Sequence, residues 1–114
     1  MEQAIGDEDD VAIAAITAAE LLVGVERASG RRRADRARFV DEVLTTLTVE
    51  DYDLATARAH ADLLVEVRRS GRPRGAHDLI IAATARSTRR VLITTDARGF
   101  ADLPGVELRL LGMP

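Results

Sequence analysis

The segment Gly75–Phe100, GAHDLIIAATARSTRRVLITTDARGF, contains the longest apolar run of the chain and constrains its fold more than any other stretch. Residues 78–85 are apolar on nearly every face, which predicts a buried helix from about Ala76 to Ser87. Val91–Thr95 is rich in β-branched residues and too short for a helix, so it predicts a buried strand. The segment therefore predicts a helix followed directly by a strand of a sheet.

The lengths of these two elements place two acidic residues at one edge of the domain. The predicted helix is roughly 18 Å long and the strand returns roughly 16 Å, so the two run back to back with matched lengths. Asp78 lies in the first turn of the helix and Asp96 directly follows the strand. We therefore expect both carboxylates at the same end of the sheet.

The rest of the chain alternates strands with helices, which indicates an α/β fold with a parallel sheet. In such sheets ligands bind outside the carboxyl ends of the strands. The predicted elements are the end of a helix at Met1–Gly6, a strand at Val11–Ile16, a helix from a Thr17–Glu20 capping box to about Ser29 with Gly30 as its stop, a helix from Arg33 to about Thr45, a strand at Leu47–Val49, a helix at Asp53–Ser70 and a last strand at Val106–Leu111.

Length and composition suit one domain with an aliphatic core. The chain has 114 residues, 46% of them hydrophobic but only 3% aromatic, so the core must consist of Ala, Val, Leu and Ile. There is no cysteine, which excludes disulfides and thiolate metal sites. No apolar run reaches the ~20 residues that span a bilayer, and the acidic N-terminus does not resemble a signal peptide. We expect a cytoplasmic protein.

Three acidic residues, Glu20, Asp78 and Asp96, are predicted at the carboxyl edge of the sheet. Each alone has a structural explanation: capping-box partner, helix N-terminal charge and turn residue, respectively. Together, three carboxylates without a basic partner repel one another, and Mg²⁺, which prefers oxygen ligands, resolves that conflict. No set of His and Cys supports zinc. His77 is more simply a capping residue than a ligand, and His60 is predicted to be structural.

Three motifs resemble successive motifs of PIN-domain ribonucleases: Ile13–Gly24 with Glu26 (IAAITAAELLVGVE), Asp78–Ala85 (DLIIAATA) and Thr94–Phe100 (TTDARGF). The closest subgroup is the VapC-like toxins of type II toxin–antitoxin pairs. The resemblance implies a single PIN-like domain over residues 1–114, a three-layer α/β/α fold and a Mg²⁺- or Mn²⁺-dependent endoribonuclease. It implies a homodimer, an RNA substrate and a cognate antitoxin. The acidic cluster would map onto Glu20, Asp78 and Asp96, with Thr94, Arg74 and Arg98 toward the substrate.

The chain departs from the family pattern in two places. The family opens with a central strand ending in Asp-Thr-Ser, and no such segment precedes Met1–Gly6 in this chain. Position 99 is Gly, where many members carry a further Asp. An alternative function is therefore a catalytically impaired, truncated PIN-like domain that binds the antitoxin or a second copy of itself. A receiver-like α/β domain is disfavoured, because it needs a late Lys and the chain has none.

Overall fold

Residues 10–110 are described by the structure, a computed structural model, and they separate into two units, Asp10–Asp51 and residues 52–110. The predicted helix end at Met1–Gly6 and the last residue of the predicted strand, Leu111, lie outside the described residues. The expectation of a single domain over residues 1–114 stays a prediction.

The unit Asp10–Asp51 is a helical hairpin framed by two parallel strands. Its elements are β1 (Ala12–Ala14), α1 (Ala15–Arg27), α2 (Gly30–Thr46) and β2 (Thr48–Glu50). The two strands pair in parallel register, with Ile13 opposite Val49. Val40 of α2 and Ala18 of α1 are buried.

The capping box predicted at Thr17 is wrong. Helix α1 begins two residues earlier, at Ala15, its N-cap is Ala14, and no side chain caps it. Glu20 therefore lies in the second turn of α1 and is exposed. Gly30 does not end this helix either, because α1 stops at Arg27 and Gly30 is the first residue of α2.

The unit of residues 52–110 matches the sequence prediction more closely. It contains α3 (Leu54–Ser70), α4 (Ala76–Thr88), β3 (Leu92–Thr94), a single 3₁₀ turn (Ala97–Gly99) and β4 (Leu108–Leu110). Strands β3 and β4 are parallel neighbours, as expected for a β-strand pair in an α/β fold. Both predicted helices are confirmed, and α3 ends at Ser70 with Gly71 as its C-cap, whose φ of 68° is the left-handed conformation typical of that position.

A core of aliphatic residues and one aromatic residue, Phe100, joins α3 and α4 to β3 in this unit, so the predicted restriction to Ala, Val, Leu and Ile is wrong. Leu63 and Ala82 are fully buried, and Leu79, Leu92 and Phe100 are nearly so. The near-continuous apolar pattern of α4 is explained by this burial, because the helix presents Leu79 and residues 82–85 to protein. The prediction of an α/β fold with parallel strands is thus confirmed. None of the helices among residues 10–110 is long and apolar enough to cross a membrane.

The N-cap of α3 predicts a pH-dependent contribution to stability. Asp53 accepts hydrogen bonds from the Thr56 backbone N–H at 2.9 Å and from its hydroxyl at 3.0 Å. The Thr56 backbone bond and then its side-chain bond lower the pKa of Asp53. The unfolded chain binds this proton more readily, so the contribution is complete above the ordinary Asp pKa of about 3.9 and is lost as pH falls through the lower folded-state pKa.

We therefore expect Asp53→Asn to remove part of the acid dependence of stability while keeping a capping side chain. The measurement is the urea midpoint of the wild type and the variant from about pH 3 to pH 6. The two curves should converge as pH falls. Parallel curves over this range would contradict the assignment.

Candidate functional site

Asp78 lies at the start of α4 with its carboxylate half-buried. It is the acidic residue of the first turn of α4, a position where the positive end of the helix favours a negative charge. Among residues 10–110, no donor forms a hydrogen bond or ion pair with this carboxylate. A half-buried carboxylate without a protein donor keeps its oxygen lone pairs available for a cation or for water.

Two glycines surround the Asp78 carboxylate. A Cβ atom added at Gly99 would lie 2.7 Å from Asp78 Oδ2, and one added at Gly75 would lie 3.2 Å from the same oxygen. The first distance is a clash and the second is a tight contact, so the carboxylate occupies space that side chains at these positions would fill. Gly75 and Gly99, which we call the glycine cradle, therefore allow the backbone to approach Asp78 closely.

Asp96 begins the turn that carries Gly99. Its carboxylate caps the 3₁₀ turn by accepting a hydrogen bond from the Arg98 backbone N–H at 3.0 Å. The Thr94 hydroxyl organises the same turn, since it accepts from the Asp96 N–H and donates to the Asp96 carbonyl, both at 3.1 Å. Asp78 thus lies against the turn that Asp96 opens, which is the arrangement expected from the matched lengths of α4 and β3.

The two candidate arginines differ in their surroundings. Arg98 is almost fully exposed, and its Nε lies 3.5 Å from an Asp96 oxygen, an exposed ion pair of small energetic value. Arg74 is half-buried and donates to two carbonyl oxygens, those of Gly99 at 3.2 Å and Ala101 at 2.8 Å. Those two bonds use two of the five guanidinium N–H groups.

The surroundings of the remaining candidates differ. Glu20 is exposed on α1, in the unit Asp10–Asp51. His77 is exposed in the first turn of α4. Nδ1 of His60 and the Tyr52 hydroxyl share a hydrogen bond of 2.7 Å, which agrees with a structural role for His60. In neither unit do the described residues include a group of three or more His, Asp and Glu side chains that could hold a metal.

The side-chain oxygen atoms at this turn are of the type that binds a hard divalent cation. Asp78 and Asp96 offer carboxylate oxygens, which suit Mg²⁺, and such sites complete their coordination with water. The absence of a side chain at Gly75 and Gly99 leaves the Asp78 carboxylate in its place against the backbone of the turn. The arrangement can therefore hold a cation through one or two carboxylates, the usual protein contribution to a Mg²⁺ site.

Sequence reasoning did not find the glycine cradle or the contacts of Arg74. The available signal was the placement of Gly75 immediately before the helix of Asp78 and of Gly99 inside the TTDARGF motif. Glycine, which has no Cβ, allows the backbone to approach a neighbouring group closely.

A model of the PIN domain matches residues 1–106, so the chain belongs to the PIN-domain family. Its relatives make it VapC-like, as the motifs predicted. The tRNA(fMet)-specific endonuclease VapC of Salmonella typhimurium is 32% identical over 84% of this chain and 71% of that protein. The VapC ribonuclease Y4jK of Sinorhizobium fredii is 37% identical over 77% of this chain and 66% of that protein.

Solved structures agree with this assignment. The structure of VapBC2 from Rickettsia felis bound to a DNA fragment from their promoter superposes with a TM-score of 0.84, with 25% identity over 92% of this chain and 77% of that one. VapBC-5 from Mycobacterium tuberculosis gives a TM-score of 0.77 with 32% identity, covering 86% of this chain and 79% of that one. The PIN-like fold class is thereby confirmed.

Proposed function

We propose that this protein is a Mg²⁺- or Mn²⁺-dependent endoribonuclease, the toxin of a type II toxin–antitoxin pair. The observation that carries the proposal is the Asp78 carboxylate, half-buried in the glycine cradle against the Asp96 turn and without a donor among the described residues. Similarity to proteins named as VapC ribonucleases supports RNA as the substrate class.

Asp78 and Asp96 would hold the cation. Glu20 is proposed as a third ligand on the resemblance of the motif Ile13–Gly24 alone. A divalent cation bound by these residues would supply Lewis-acid activation of water and would offset the charge that develops on the phosphate. The chain contributes the positions of the carboxylates, and the Thr94 hydroxyl fixes the backbone from which Asp96 projects.

The RNA backbone would be held by basic side chains at the edge of this turn. Arg98 is exposed and adjacent to the Asp96 carboxylate, so its guanidinium is available to a phosphate near the cation. Arg74 would contribute positive charge from the start of α4, and Thr94 is proposed near the substrate by family resemblance. Phosphate contacts of this kind position an RNA without selecting its sequence.

The proposed partners follow from the structural relatives. Several of them are VapBC complexes, and this supports a cognate antitoxin as the partner that blocks the site. A homodimer and a cytoplasmic location are proposed from the same resemblance.

The test is cleavage of a fluorescently labelled RNA by the purified chain, with Mg²⁺ and with EDTA. We expect cleavage that requires Mg²⁺ or Mn²⁺ and returns when the metal is restored after chelation. Equal cleavage in EDTA would contradict the metal mechanism. A chain that binds the antitoxin but shows neither cleavage nor Mn²⁺ binding would instead be the impaired binding module.

A further inference from the structure

Arg74 joins two segments that are distant in sequence and adjacent at the candidate site. It lies one residue before Gly75, the N-cap of the helix that carries Asp78. Its two terminal nitrogens donate to the Gly99 carbonyl at 3.2 Å and the Ala101 carbonyl at 2.8 Å, so one guanidinium bridges the chain at both ends of Phe100. Hydrogen bonds from a charged donor in a half-buried position are among the stronger ones in proteins.

The segment that Arg74 holds is the one that touches Asp78. Gly99 approaches so closely that a Cβ there would lie 2.7 Å from Asp78 Oδ2. The same 3₁₀ turn, Ala97–Gly99, is capped by Asp96. A displacement of this turn would therefore move the surface against which the Asp78 carboxylate rests and would shift Asp96 with it.

We infer that Arg74 is a positioning residue for the Asp78 carboxylate. Its two-pronged contact keeps Gly99 against Asp78 and thereby fixes the orientation in which Asp78 meets a cation, an inference that rests on the proposed metal-dependent function. Arg74 then acts through the 99–101 backbone in addition to supplying charge. Contacts that orient metal ligands typically change metal affinity or activity by about 10- to 100-fold when removed.

Three variants separate this role from a direct RNA contact. Arg74→Met removes all donors and keeps a side chain of similar length, whereas Arg74→Lys keeps the charge and replaces the two-pronged donor with one ammonium. Arg72→Met is the matched control, because Arg72 reaches the same loop through an exposed ion pair with Asp102 at 3.4 Å. Such exposed pairs contribute little to stability.

The measurements are Mn²⁺ affinity of the RNA-free protein by calorimetry, and kcat and KM for RNA cleavage. We expect both Arg74 variants to bind Mn²⁺ about 10-fold or more weakly and to lose kcat by a similar factor. KM for RNA should rise in addition only in Arg74→Met, which lacks the positive charge, and should stay near the wild-type value in Arg74→Lys. Arg72→Met should stay within about twofold of the wild type. Wild-type Mn²⁺ affinity in folded Arg74→Met would overturn the inference, as would wild-type Mn²⁺ affinity and kcat in Arg74→Lys.

Two further measurements keep the inference testable if Arg74→Met does not fold or if the proposed function fails. Gly99→Ala keeps Arg74 but forces the Asp78 carboxylate to move, so it should show the same loss of Mn²⁺ affinity. In metal-free protein, Arg74→Lys should shift the NMR signals of Asp78 and accelerate hydrogen exchange at Phe100 and Ala101, whose N–H groups bond to Ala97. Absence of Mn²⁺ binding by the wild type would refute the proposed function alone, whereas unchanged spectra would refute the positioning role.

Discussion

Asp78→Asn should abolish metal-dependent RNA cleavage, with a loss of at least about 100-fold in kcat/KM. Removing a residue that only supports a metal ligand typically costs about 10- to 100-fold, and we expect the loss of a proposed ligand itself to cost at least as much. The amide has nearly the shape of the carboxylate, so the glycine cradle still accommodates it. It has no negative charge, however, and carries a weaker oxygen donor for a hard cation. The measurement is cleavage of labelled RNA at saturating Mg²⁺, together with Mn²⁺ affinity by calorimetry.

Asp102→Asn is the matched control for this substitution. Asp102 is largely exposed and has a φ of 63°, a left-handed conformation that Asn also tolerates. We expect its cleavage rate to stay within about twofold of the wild type, because only an exposed ion pair with Arg72 is lost. If Asp78→Asn cleaved RNA as fast as Asp102→Asn, the carboxylate of Asp78 could not be a metal ligand.

Leu63→Ala should lower the free energy of unfolding by about 2–5 kcal/mol, the usual range for removing a buried leucine side chain. Leu63 is 0% exposed and lies in the core shared by α3 and α4. Truncation removes apolar contacts and leaves a cavity that neighbouring side chains fill only in part. The measurement is urea-induced unfolding followed by circular dichroism.

Leu54→Ala makes the same chemical change in the same helix at an exposed position. Leu54 is 68% exposed at the start of α3, so its truncation should change stability by no more than about 0.5 kcal/mol. Equal effects of the two substitutions would mean that Leu63 does not anchor α3 in the core.

The helices of residues 52–110 could be predicted from the sequence within about one residue, and for α3 local chemistry marks both ends. Asp53 provides an N-cap, Gly71 a left-handed C-cap, and the apolar positions between them recur at helical spacing. The beginning of α1 could not be predicted in this way. Thr17 and Glu20 have the spacing of a capping box, but Ala15 and Ile16 are already the first two residues of the helix. The pairing of β1 with β2 ends at Ala14, and the helix follows it directly.

Part of the candidate site was also accessible from the sequence. The matched lengths of α4 and β3 predicted that Asp78 would lie near the turn after the strand, and Asp78 does lie against Gly99 of that turn. The bonds from Arg74 to carbonyls 25 and 27 residues away had no local signature, because they depend on how two loops meet in the folded chain. No spacing rule for helices or strands contains that information.

The close approach of Gly99 to Asp78 also restricts how this protein can change over evolution. A side chain at position 99 is compatible with Asp78 only if the carboxylate rotates away from its present place. The effects of substitutions at two such contacting positions are not additive. We therefore expect the consequences of a change at position 99 to depend on residue 78, and an acidic residue at position 99 to require a changed conformation of Asp78.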